Sequence, residues 1–360
     1  MKSVFLDRES ERQGQNAVLK TDVPVPEPAD GQVLIQVRAC GLSPVRLDVI
    51  RELQLDTQCL PIGREVAGVV TKIGGGVTRC KVGDEVAGVL PVDSICSGCA
   101  EYCVASDHDI VIKPMRVSFH DAAAGIGDAV RAFTVLHYLA RVCAGDTVLV
   151  INGARSSGTI TIQLAQHWGA KVLATASSKE ESIFLESFKP ELAQVIETDQ
   201  SKKYALIQQC IEETGGLGVD CIIDDGVSMF PKDEEDPALS PRKQKKLRTL
   251  PTKHEVISAL GVGGRWVTSQ TDLQIDPPDS QLLHMRCASV SYLNEAVWNL
   301  SCGQLGRYLH ILQSAIDKLA DGVLRPNIAS CISLDEACQA YSKLPSQTIG
   351  KTVVEISHCP

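Results

Sequence analysis

The spacing of hydrophobic positions changes along the chain, and the change divides it. Val33, Ile35, Val37 and Ala39 alternate with Leu34, Gln36 and Arg38, a two-residue period that predicts a strand. Gly63, Gly68, Gly74, Gly75, Gly76, Gly83 and Gly88 then punctuate short Val-rich segments. Glycine supplies the backbone freedom of tight turns and bulges, so this stretch predicts a partly closed β-domain. Tyr102–Ala105 and Ile110–Ile112 predict further strands.

Near Asp121 the period lengthens. Ala122, Ala123 and Ala124 open a helical stretch to about Arg141, and Gly145-Asp146 turns the chain into a buried strand, Thr147–Asn152. A helix follows from Thr159, with Ile160, Leu164 and Trp168 on one face and Gly169 placed to stop it. Lys171–Thr175 is the next strand. Strand, helix and strand in so short a span make a βαβ unit, which implies a parallel sheet with a right-handed crossover. Val219–Asp224, Arg265–Ser269 and Ser289–Leu293 add strands. The chain closes with a helix at Tyr308–Asp321, a capping-box spacing at Ser333 and Glu336 for a helix to about Leu344, and a strand at Gly350–Ile356.

Composition narrows the class. Of 360 residues, 44% are hydrophobic and 22% charged, which excludes a mostly disordered chain. The net charge of −9 gives no global attraction to nucleic acid or anionic lipid. No apolar run approaches the roughly 20 residues a membrane helix needs. The start carries only Val4-Phe5-Leu6 before Asp7, Arg8 and Glu9, not the apolar centre of an export signal, so a cytoplasmic protein is expected. In that setting the 14 cysteines are expected to be reduced thiols. Residues 230–251 depart from the rest, with Lys232–Asp236, a basic run at Arg242–Arg248 and four prolines. They are expected to form a solvated insertion; the alternative is a localisation signal or a local nucleic-acid contact.

The strongest chemical signal is the loop between the first βαβ strand and its helix: Asn152, Gly153, Ala154, Arg155, Ser156, Ser157 and Gly158. Small residues let the backbone approach a pyrophosphate, and the helix N-terminus offers free N–H groups and a positive dipole end. An NAD site usually places an acid at the end of the second strand to bind the ribose hydroxyls. Here Ser177, Ser178 and Lys179 follow Ala176. Hydroxyls and a lysine suit a 2′-phosphate, so NADP(H) is the expected cofactor.

Several segments resemble a known family when taken together. Gly63-Arg64-Glu65-Val66-Ala67-Gly68 is similar to the Gly-His-Glu-x-Ala-Gly signature of the medium-chain dehydrogenases/reductases. Val77–Val86, Cys99–Tyr102, Thr214–Asp220, Gly263–Arg265 and Gly350–Val354 follow in family order, and the whole is most like the quinone oxidoreductase (zeta-crystallin) branch. The resemblance implies an α/β protein: a GroES-like β-domain over residues 1–125, a Rossmann doubly wound parallel sheet over 126–294 interrupted at about 230–251, and a return to the first domain over 295–360. It also implies an active site between the domains, a homo-oligomer, and NADPH-dependent hydride transfer to a small-molecule quinone or other activated carbonyl or alkene. No membrane partner is implied.

The departures from the family pattern are specific. Ser43 and Arg64 stand where zinc alcohol dehydrogenases place catalytic Cys and His ligands, and neither side chain can ligate. Cys96, Cys99 and Cys103 near the structural-zinc position lack a fourth local ligand, so no metal is expected. Ser43-Pro44-Val45-Arg46 replaces the family's Asn-Pro-x-Asp/Glu, and Arg131 replaces a Thr that faces the nicotinamide. Arg155-Ser156-Ser157-Gly158 replaces Gly-Gly-Val-Gly, and Thr198 replaces a Tyr beside the 2′-phosphate. Two expectations follow. In one, Ser43, Arg46 or Arg131 stabilises developing oxyanion charge in a zinc-independent reductase. In the other, the chain is a non-enzymatic NADPH-binding sensor or interaction protein. Arg131 itself either faces the nicotinamide or forms an ion pair with Asp128 or Glu65.

Overall fold

The period-two stretch at residues 33–39 lies in the strand Gln32–Gly41. Leu34, on its polar face by pattern, is nonetheless buried, because the strand is central. It pairs antiparallel with Glu65–Ile73, Tyr102–Ser106 and Lys351–Glu355. The computed structural model describes residues 1–7, 17–45, 49–50, 54, 59–198, 204–229 and 250–357. Two compact units divide the chain: Met1–Val130 with Glu295–Pro360, and Arg131–Asn294.

In the first unit, a seven-stranded sheet among the described residues runs in the order Ile328–Ser333, Lys351–Glu355, Gln32–Gly41, Glu65–Ile73, Glu85–Val89 and Ile110–Ile112. Tyr102–Ser106 pairs beside this path. A smaller sheet joins Ala17–Lys20, Ser3–Asp7 and Cys59–Pro61. Val33, Ile35, Val37, Val66, Val70 and Leu90 lie at the centre of the apolar core, with Cys40, Cys99 and Cys103 as small buried members. Cys96 packs against this core from a half-buried position.

In the second unit a six-stranded parallel sheet runs in the order Gln194–Glu197, Lys171–Ala176, Thr147–Val150, Val219–Asp224, Leu260–Thr268 and Ser289–Tyr292. Numbered along the chain this order is 3-2-1-4-5-6, the doubly wound arrangement. Leu149, Leu173, Ile222 and the fully buried Trp266 form its core with the helix residues Val256 and Ile257.

Three boundaries differ from expectation. The helix at residues 122–141 is α-helical from Phe119 to Phe133 and continues as a π-helix over Thr134–Leu139. The strand expected at Arg265 begins earlier, at Leu260. The Ser333–Glu336 capping box is formed, but it opens a 3-10 turn, and the α-helix is confined to Ala337–Lys343. Among the described residues no helix is long and apolar enough to cross a membrane. Of the charged insertion, residues 230–249 lie outside the described residues.

Candidate functional site

The second unit carries a dinucleotide-type turn. The strand Thr147–Val150 runs into a turn in which Asn152 adopts φ +58, and Arg155 N–H donates back to the Asn152 carbonyl at 3.1 Å. The helix begins at Ser156, not Thr159: Ser156, Ser157 and Gly158 are its first turn. Thr159 Oγ1 and Thr161 Oγ1 donate to the carbonyls of Ser156 and Ser157, each at 2.7 Å. Only glycine fits at position 158, where a Cβ would sit 2.7 Å from the Gly153 carbonyl and 2.8 Å from that of Asn152. This close approach seats the helix N-terminus on the strand end, at the carboxyl edge of the sheet. Gly153 and Ala154 are packed inside the turn, while Arg155, Ser156 and Ser157 are half-buried at its surface. The backbone therefore fits a pyrophosphate.

The end of the second strand is built differently from the expectation. Ser177 and Ser178 were expected to be open to a 2′-phosphate, but both are engaged locally. Ser177 donates its N–H to Glu181 at 2.7 Å and its hydroxyl to the same carboxylate at 2.9 and 3.0 Å. Ser178 caps the helix Lys179–Glu186, its hydroxyl accepting from Glu181 N–H at 3.2 Å. Thr198 donates its hydroxyl to the Ala176 carbonyl at 3.1 Å. Lys179 is exposed. Glu181 is buried at 3% exposure, and composition alone gave it no role.

The Arg131 guanidinium donates to Asp225 Oδ1 and, at 2.7 Å, to Ser269 Oγ, two partners beyond the Asp128 and Glu65 named from the sequence. Asp225 and Ser269 follow the strands Val219–Asp224 and Leu260–Thr268, so Arg131 lies at the carboxyl ends of the sheet, where doubly wound folds take their ligands. Between those strands Asp224 accepts from Trp266 Nε1 and, at 2.8 Å, from Thr268 Oγ1. Burial raises Asp224 to about 6, against those hydrogen bonds.

The first unit holds a buried charged chain. Ser43 Oγ donates to Glu65 Oε1 at 2.8 Å, and Lys351 Nζ donates to Glu65 Oε2 and, at 3.0 Å, to Asp128 Oδ2. Glu65 and Lys351 open their strands, and Asp128 projects from the helix Phe119–Phe133. Gly127 leaves room for this arrangement, since a Cβ there would meet Glu65 Cγ at 2.6 Å. Burial raises the Glu65 pKa, with Lys351 opposing. For Lys351 burial opposes the charge, but Asp128 and Glu65 outweigh it and raise the pKa. Ser43 thus spends its single proton on Glu65. Arg64, at the other zinc-ligand position, donates Nε to the Leu90 carbonyl at 2.6 Å. Arg46 lies outside the described residues.

These two halves, a GroES-like sheet and a doubly wound nucleotide fold, are those of an alcohol dehydrogenase-type oxidoreductase. Residues 29–151 match the family model described as the alcohol dehydrogenase GroES-like domain. The chain is 44% identical to quinone oxidoreductase-like protein 1 of Mus musculus over 337 residues, 94% of each chain. It is 28% identical to quinone oxidoreductase of Homo sapiens over 334 residues, 91% of this chain and 89% of that one. A crystal structure of an alcohol dehydrogenase superfamily protein from Novosphingobium aromaticivorans shares the fold with a TM-score of 0.79 at 22% identity, covering 99% of this chain and 100% of that one. Mycobacterial Rv1454c complexed with NADPH does so with a TM-score of 0.75 at 22% identity, over 99% and 100% of the two chains. The chain belongs to the quinone oxidoreductase branch of the medium-chain dehydrogenases/reductases, and it is an oxidoreductase.

Proposed function

We propose that the protein is a zinc-independent reductase that uses NADPH to reduce a quinone or another activated carbonyl or alkene. The observation that carries this is the Thr147–His167 strand–turn–helix, whose Gly158 packing seats a helix N-terminus at the carboxyl edge of a 3-2-1-4-5-6 sheet. The 44% identity to quinone oxidoreductase-like protein 1 supports the substrate class.

Arg155, Ser156, Ser157 and Gly158 would hold the pyrophosphate, and Lys179 would supply positive charge near the 2′-phosphate. When bound, the nicotinamide supplies hydride. The chain's own part is binding, orientation and charge placement. Asp225 and Ser269 hold the Arg131 guanidinium at the strand ends, where it balances negative charge on a bound ligand. Glu65 fixes the Ser43 hydroxyl. Lys351 supplies the cation at Glu65, and Ser43 and Arg64 are bound to protein partners, which supports chemistry without catalytic zinc.

The test separates binding from turnover. Reduced nicotinamide binding is followed by fluorescence, and oxidation by absorbance across a panel of ortho- and para-quinones and enones. Saturable binding with quinone-dependent oxidation is expected. Binding without oxidation of any acceptor in the panel would overturn the reductase assignment.

A further inference from the structure

The end of the second parallel strand is where a doubly wound fold distinguishes the two nicotinamide cofactors: an acid accepts from the ribose 2′-hydroxyl, or cations and free donors take the 2′-phosphate. Here the strand Lys171–Ala176 runs into Ser177, about twenty residues after Gly158. The two donors that Ser177 offers, its N–H and its hydroxyl, both go to one carboxylate, that of Glu181. Glu181 is buried at 3% exposure, and its backbone N–H is held by the Ser178 hydroxyl. Thr198 across the strand end has also given its proton to a backbone carbonyl. Among the described residues Ser177, Ser178, Lys179 and Thr198, the exposed Lys179 brings positive charge. The Glu181 carboxylate holds the Ser177 donors that a phosphate would use.

We propose that Glu181 is a specificity-determining residue that limits discrimination in favour of NADPH, so that the protein binds NADH almost as well. The proposal rests on the assignment of a nicotinamide dinucleotide to this unit and concerns only the ribose end. A 2′-phosphate brings close to two negative charges at neutral pH, and it must compete with Glu181 for Ser177 while lying near the carboxylate itself. A ribose diol carries no charge and tolerates a neighbouring acceptor. Glu181 therefore penalises NADPH selectively, and Lys179 offsets part of that penalty.

The test is equilibrium titration of NADPH and NADH, read by intrinsic tryptophan fluorescence and by calorimetry, on the native protein, Glu181→Gln and Lys179→Glu. In the native protein the two Kd values are expected within about threefold of one another. Glu181→Gln, which keeps the shape and can still accept from Ser177, is expected to tighten NADPH roughly tenfold and change NADH less than twofold, a gain of about 1.4 kcal/mol by the usual conversion. Lys179→Glu is expected to weaken NADPH and spare NADH. Three outcomes would overturn the proposal: a native preference for NADPH of thirtyfold or more, Glu181→Gln shifting both cofactors equally, or Glu181→Gln weakening NADPH. The native ratio decides even if Glu181→Gln does not fold. Absence of binding by either cofactor would overturn both the proposal and the dinucleotide assignment, whereas tight binding with the wrong ratio overturns the proposal alone.

Discussion

Replacing Lys351 by Met removes one charge and almost nothing else. Methionine fills much of the lysine stem's volume, so the packing between Gln32–Gly41 and the last strand is largely kept. What is lost is the ammonium between Glu65 and Asp128, both less than a tenth exposed. The buried Glu65 carboxylate is then left without that cation. Breaking a buried ion pair by removing one partner costs about 3–5 kcal/mol. For domains of this size each kcal/mol moves Tm by roughly 2–4 °C, so a drop of about 6–20 °C is expected.

The loss also depends on pH, and the sign is fixed. Burial already raises the Glu65 pKa, and Lys351 is what opposes that rise. Without it, the folded protein binds a proton that the unfolded chain, with carboxylate values near 4, does not hold at neutral pH. Stability of Lys351→Met then falls as pH rises above about 4, by up to about 1.4 kcal/mol per pH unit for each such proton. Denaturant unfolding at about pH 5 and about pH 8 reads this directly. The gap between native and variant protein should be narrow at the lower pH and wide at the higher. A loss under about 1 kcal/mol, or a gap that stays constant with pH, would refute the argument.

Asp109 gives a second pH effect: burial raises it to about 7, against a hydrogen bond from Asn299 and the charge of Arg64. Its contribution is present below about pH 4, where the unfolded group is also protonated, and is lost as pH rises to about 7. Asp109→Asn should therefore flatten the stability profile across that window and be more stable than the native protein at about pH 8; an unchanged profile counts against it. Arg131→Ala should cost about 1–2 kcal/mol, because the pair with Asp225 is only partly shielded from water. A double-mutant cycle with Asp225→Ala should show coupling, and strictly additive losses would show that the pair is energetically silent. Protein purified without added metal or chelator should carry no stoichiometric zinc by elemental analysis, and about one zinc per chain would contradict the assignment of Ser43, Arg64 and Lys351.

The parts of the fold that follow from local period were legible. Val219–Asp224 is a strand from end to end as expected, and Ile110–Ile112 likewise. The helix after the phosphate turn was expected to start at Thr159, with Ser156, Ser157 and Gly158 in the small-residue loop before it. The tight seat of Gly158 and the back-bonding threonines overrule propensity there. Glu181 reaches the strand end from the helix that follows it, one turn beyond the positions where a ribose-binding acid is usual. The signal was present: Ser178 and Glu181 have capping-box spacing. The pairings of Arg131 with Asp225 and of Glu65 with Lys351 were not legible. Asp225 lies 94 residues from Arg131 and Lys351 lies 286 from Glu65, and no local pattern encodes such pairings.

The distance between Glu65 and Lys351 also orders events during synthesis. At ribosomal rates of about 5–20 residues per second, 286 residues separate the emergence of the acid from that of its cation by roughly 15–60 s. The nucleotide-binding unit, Arg131–Asn294, is continuous in sequence and emerges entirely within that interval. The first unit, by contrast, waits with its central strand Gln32–Gly41 open along the edge that Lys351–Glu355 later covers. An open apolar strand edge is a template for wrong pairing. A nascent chain halted just before residue 351 would hold a finished nucleotide fold beside an unfinished sheet, and this is the stage at which a chaperone has most to protect.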